Sequence, residues 1–239
     1  MSERKDILDG TKDSNLGKKY GLIYTCNCGW VDLGHLNPDN KRKEIGATNL
    51  WKQINDGGKN GKSFFVCYRQ DHGKMLWGAG KEIGREGIYI VKPNLSLAQK
   101  KSVALAIFMK VSNRFEYLQK IAGTVGLTDS GYSQEDLVSN LIGFYIAVGE
   151  VNRLSILKKC HPVSIKTAYS IWDSEGPVGK NKNSEWKPKY ARNISECANQ
   201  PKQFPNELQK IKPASKGTWY SETSTPVRLP CRFLIGKSI

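Results

Sequence analysis

The chain has 239 residues, 38% hydrophobic and 25% charged, a length and balance that suit a globular protein with a buried core and exclude a disordered or fibrous chain. Lys and Arg outnumber Asp and Glu by 37 to 22, giving a net charge of +15; such a field favours an anionic partner (nucleic acid, an envelope polymer or an acidic protein), although a plain solvated basic surface carries it equally well. The first twenty residues, MSERKDILDGTKDSNLGKKY, hold no apolar signal core, and no run reaches the roughly eighteen apolar residues of a membrane span, so the expectation is a protein made in the cytoplasm without a signal peptide or membrane span.

In chain order, Leu22, Ile23 and Tyr24 predict a short strand running into the loop of TCNCGWVDLGHLN at 25–37. ATNLWKQIND predicts a short helix, capped by Thr48 or Asn49 and closed by Gly57-Gly58. KSFFVCY, KMLWGAG and GIYIVKP are bounded by glycines and predict a small antiparallel sheet over 62–92. Asn94 or Ser96 then caps the longest helix, in which Val103, Ile107, Val111, Phe115 and Leu118 recur at helical spacing before Gly123. GYSQEDLVSNLIGFYIAVGEV opens with the capping-box pair Ser133 and Asp136 and places Leu137, Leu141, Phe144, Tyr145 and Val148 on one side. A third helix is expected from Pro162 through VSIKTAYSIW.

From Asp173 onward the periodicity fades, and Pro, Lys, Asn and Ser accumulate. The expected architecture is a single α+β domain: a small antiparallel sheet packed on two long helices within a body at 1–172, and a loop-rich basic section at 173–239. That section is expected to wrap on the body through Trp172, Trp186, Phe204 and Trp219. The six cysteines are too sparse for a disulfide scaffold; three bridges are arithmetically possible, but most are expected to be free thiols.

Residues 25–37 concentrate chemistry. A cysteine attacks as its thiolate and needs a base within hydrogen-bond reach. Cys28 is the candidate nucleophile, His35 its base and Asp32 the orienting or polarising carboxylate; His72, beside Asp71 in CYRQDHG, is an alternative base. Trp30, Ser133 and Asn140 are candidates for contact with substrate. Glu135, Asp136, Ser139 and Asn140 either line a cleft or form the solvated face of a capped helix. A zinc set of Cys26, Cys28 and His35, completed by Cys67 or His72, competes with this reading. A weaker metal set joins Asp32 and His35 to Glu116, Glu135 or Asp136. The expectation taken forward has no metal and no cofactor. Trp186, Tyr190, Trp219 and Tyr220, interleaved with basic residues, would suit stacking on nucleic-acid bases.

Cys28-Gly29-Trp30 after an apolar strand, with a later histidine beside a small sheet, resembles the papain-like superfamily that includes bacterial peptidoglycan amidases and endopeptidases. The resemblance covers residues 20–92. It implies Cys28 at the start of a helix as nucleophile, with His72 or His35 as base. In circularly permuted members the histidine comes first, which would pair His35 with Cys160 or Ser133. The function so implied is a cysteine hydrolase cutting peptide or amide bonds of an anionic cell-wall polymer. An antibacterial effector of this kind would be exported by dedicated secretion machinery to a target-cell envelope and countered by a cognate inhibitor (immunity) protein. The alternatives are a metal-dependent or basic toxin-like enzyme acting on nucleic acid, and a non-enzymatic binding module.

Overall fold

The apolar run after Gly21 forms β1 (Leu22–Thr25), which pairs antiparallel with β2 (Gly29–Asp32) so that Tyr24 faces Trp30 and Thr25 faces Gly29. Gly29 ends the turn at φ +64°, and a Cβ there would stand 2.6 Å from the Lys189 carbonyl oxygen, so only glycine closes this hairpin. The strand β2 has no signature in sequence because three of its four residues are buried and no polar alternation marks it. The computed structural model describes residues 2–75, 82–124, 131–223 and 231–239, the side chains of 72–75, 82–83 and 122–124 excepted.

The structure is α+β. The remaining elements are α1 (Asp13–Leu16), α2 (Ala47–Asp56), β3 (Phe64–Met75), β4 (Glu82–Val91), α3 (Leu97–Thr124), α4 (Asp136–Ala147), α5 (Arg153–Lys159), α6 (Ile165–Glu175) and β5 (Tyr220–Glu222). The sheet expected over 62–92 is present as the antiparallel pair β3–β4, to which β5 adds in the order β3-β4-β5. The cap of α2 is Gly46 at φ +88°, earlier than expected, because Asn49 instead donates its side-chain amide to the carbonyls of Asn40, Arg42 and Ile45. The helix expected from Pro162 begins at Ile165 under a Ser164 cap, since Pro162 bridges to Thr25. The short α5, capped by Asn152, has too few residues for a visible period. No helix among the described residues is long and apolar enough to cross a membrane.

Contacts divide the chain into two compact units, Met1–Pro38 with Gln119–Lys210, and Asp39–Leu118 with Ile211–Ile239. Residues 173–210 thus group with the N-terminal hairpin and residues 211–239 with the three-stranded sheet. Disulfides account for this. Cys26–Cys197 ties the first part of the tail to the hairpin, while Cys67–Cys231 ties the last part to β3.

In the first unit the core joins Leu22, Tyr24 and Trp30 of the hairpin to Ala168, Ile171 and Trp172 of α6 and to Val178, Ala191 and Cys197 of the tail. Trp30 meets Tyr24 and Trp172 edge-on, with ring centroids 5.2 and 6.0 Å apart. Helix α4 is buried nearly all round, its polar Asp136 and Ser139 included. In the second unit Val103, Ile107, Val111 and Phe115 of α3 are buried as their spacing predicts. The sheet packs on α3 through Tyr68 against Phe108 and through a hydrogen bond from Gln70 to Ser112.

All six cysteines are paired, which corrects the expectation of free thiols: Cys26–Cys197, Cys28–Cys160 and Cys67–Cys231, with Cα separations of 5.4, 5.4 and 5.6 Å, within the usual disulfide range. Partners lie 171, 132 and 164 residues apart, so no local spacing announces them.

Candidate active site

The hairpin delivers DLGH into a tight turn. The Asp32 carboxylate accepts the N–H groups of Gly34 at 2.6 Å and His35 at 3.2 Å on one oxygen, and the Ser2 hydroxyl at 2.9 Å on the other. This is an Asx-type turn, in which a short carboxylate replaces missing backbone partners. Its product is a fixed position for His35, whose side chain is 46% exposed.

Helix α4 packs against this turn. The Ser139 hydroxyl accepts the Asp32 N–H at 2.9 Å and donates to the Glu135 carbonyl at 2.7 Å, joining β2 to the first turn of the helix. Gly143 lies against the turn's backbone: a Cβ there would stand 2.6 Å from the Leu36 carbonyl oxygen and 3.4 Å from that of His35. Because those atoms are main chain, Gly143→Ala is expected to cost about 1–3 kcal/mol and to displace the turn. Denaturant midpoints and the His35 imidazole NMR shifts measure the two effects; an unchanged midpoint with unmoved shifts would refute the close-packing argument.

At the N-terminus of α4, Asp136 is 5% exposed and reaches His35 Nδ1 at 3.0 Å, while its second oxygen accepts the Ser133 N–H at 2.9 Å. The helix dipole favours a carboxylate here. A carboxylate on Nδ1 selects the tautomer with its proton on that nitrogen and leaves the basic lone pair on Nε2.

Glu135 is the neighbouring acid. It is buried, and among the described residues its Oε2 has no hydrogen-bond partner. Desolvation first, and then the charge of Asp136, push its pKa from an ordinary 4.5 up to about 8, so it holds a proton at neutral pH. Because its folded pKa is raised, folding favours the protonated carboxyl; this contribution is full below about 4.5 and is lost as pH rises through about 8. Glu135→Gln is expected to abolish that dependence, so the variant gains melting temperature over wild type at about pH 9 but not at about pH 4. Parallel Tm profiles for the two proteins would contradict a protonated Glu135.

No family model, curated protein or solved structure matches the chain. The site therefore rests on its own geometry.

Of the residues expected from sequence, the structure brings His35 and Asp32 together with Asp136, Glu135 and Ser139 of the expected cleft. Cys28 is corrected. It is buried at a hairpin turn rather than a helix start, and its sulfur is bonded to Cys160, so neither cysteine offers a thiolate. The same pairing removes Cys26, Cys28 and Cys67 as zinc thiolates. Among the described residues no group of three or more His, Cys, Asp or Glu is disposed to hold a metal.

Trp30 is 2% exposed in the core and so is corrected from substrate contact to packing. Ser133 is buried at the start of α4, and Asn140 is half-buried next to Ser139. The side chain of His72 lies outside the described residues. The solvated-face alternative for EDLVSN fails, since Glu135, Asp136 and Ser139 are all buried. Tyr220 is buried against Tyr89, centroids 6.0 Å apart, and is not available for base stacking. The signal that marked Glu135 and Asp136 was their density with Ser139; sequence joins them to His35 only in the weaker metal set and does not single out Asp136 as the carboxylate on its imidazole.

Proposed function

We propose that the protein is a hydrolase of peptide or amide bonds in an anionic cell-wall polymer, working by general acid–base catalysis rather than through a cysteine. The observation that carries this reading is a half-exposed histidine oriented by a buried aspartate, with the buried Glu135 next to that aspartate. Perturbed acids and oriented imidazoles at one place are the usual marks of catalysis.

His35 Nε2 takes a proton from water, and the hydroxide oxygen adds to the scissile carbonyl carbon. The imidazolium returns that proton to the leaving nitrogen as the carbon–nitrogen bond breaks, without which an amine is a poor leaving group; Glu135, 2% exposed, does not reach substrate. Asp136 stabilises the imidazolium that forms. Asp32 is a positioning residue, since both its oxygens are engaged in holding the turn. That engagement also argues against a pair of working carboxylates of the glycosidase type, in which the second must face the sugar. The excess of basic residues suits an acidic polymer as substrate.

The test is incubation with purified peptidoglycan, double-stranded DNA and RNA, with end-group analysis of what is released. Free amino groups from peptidoglycan are the expected product. Reducing sugar ends in their place would move the chemistry to the glycan strand, and cleavage of nucleic acid alone would overturn the substrate.

A further inference from the structure

We infer that the second unit carries a binding site for an acidic segment of the same wall polymer, a cavity of about 610 Å³ lined by Lys43, Lys52 and Lys59. This rests on the hydrolase reading for the identity of the polymer, but the site stands on separate residues.

Its walls are α2, the turn that follows it, and the C-terminal segment. That segment runs along the start of β3: the Phe65 N–H donates to the Lys237 carbonyl, the Gly236 N–H to Phe65 and the Ile239 N–H to Ser63. The Asn60 amide donates to the Ser238 hydroxyl at 2.6 Å and joins the turn to the tail. Cys67–Cys231 holds the segment covalently at its other end.

The buried Gln53 holds the third wall. Its amide nitrogen donates to the carbonyls of Lys43 and Cys67, and its oxygen accepts the Cys67 N–H. The backbone that presents Lys43 is thereby locked to both helix and strand before any ligand arrives, which lowers the ordering cost of binding.

The charge is unbalanced. Among the described residues Asp56 is the one acid in the lining, and it stands 3.9 Å from Lys59 in an exposed pair of small energetic value. Lys43 and Lys52 have no ion-pair partner among the described residues. Two uncompensated ammonium groups over a cavity of ligand-binding size fit carboxylates carried on a polar chain. Phosphate shares the anionic chemistry, so the measurement separates the two.

The experiment uses the full chain with a soluble disaccharide-tetrapeptide fragment of peptidoglycan as probe, inorganic phosphate and a single-stranded DNA oligonucleotide as separate arms, and isothermal calorimetry as readout. Lys43→Ala with Lys52→Ala is expected to weaken fragment binding by about tenfold and to raise KM on soluble peptidoglycan by a similar factor at unchanged kcat. Lys43→Arg with Lys52→Arg retains binding, and His35→Ala binds as wild type does. Unchanged Kd and KM in the double alanine variant overturn the site, and phosphate or an oligonucleotide that binds more tightly than the fragment with the same lysine dependence overturns the wall polymer as its ligand. If wild type binds the fragment with this lysine dependence yet hydrolyses no wall polymer, the hydrolase reading fails and the anion site stands.

Discussion

His35→Ala is expected to lower the rate of peptidoglycan hydrolysis by about 10²–10⁴-fold, the usual worth of a positioned general base, with the far-ultraviolet circular dichroism unchanged. The fold is spared because the imidazole is 46% exposed and the turn that presents it is held by main-chain N–H groups on Asp32. Asp136→Asn is expected to cost a comparable factor. An amide cannot stabilise the imidazolium, and it can turn its NH₂ toward Nδ1 and favour the wrong tautomer. Combining the two changes should cost little more than either alone, since the residues act as a unit. Stopped assays of fragment release on the three variants measure this. Wild-type rates in His35→Ala would remove the histidine from catalysis; simple multiplication of the two single effects would remove the dyad.

Breaking Cys28–Cys160 by serine substitution at both positions is expected to lower stability by roughly 2–5 kcal/mol, because the bridge restrains a long loop of the unfolded chain. Activity should fall with it. Cys28 stands four positions before Asp32 in the hairpin that carries the site, and the Cys26 and Asn27 N–H groups bond to the carbonyls of His161 and Cys160 beside the bridge. Chemical denaturation of the native, reduced and substituted proteins measures the stability effect. Iodoacetamide separates a structural bridge from a catalytic thiol: the native protein should neither react nor lose activity. Stoichiometric labelling of Cys28 with loss of hydrolysis would restore the thiol mechanism and discard the acid–base one.

Chain-local physics determined much of this protein from sequence. The strand at 22–25, the sheet over 64–91, the long α3 and the apolar face of α4 follow from patterns that repeat within a few residues, where each side chain's environment is set by its near neighbours. The density of Asp32 and His35 after an apolar strand, and of Glu135, Asp136 and Ser139 at a helix start, singled out both halves of the site for the same reason. Tertiary structure decided what those residues do. Cys28 reads as a nucleophile until Cys160, 132 positions on, takes its sulfur, and Trp30 reads as a substrate contact until Tyr24 and Trp172 enclose it. His35 acquires its partner only when α4 packs on β2, and Glu135 acquires its proton only when that packing excludes water. Disulfide pairing, burial and charge coupling act through space between residues far apart in the chain, and a single sequence records no distance between them.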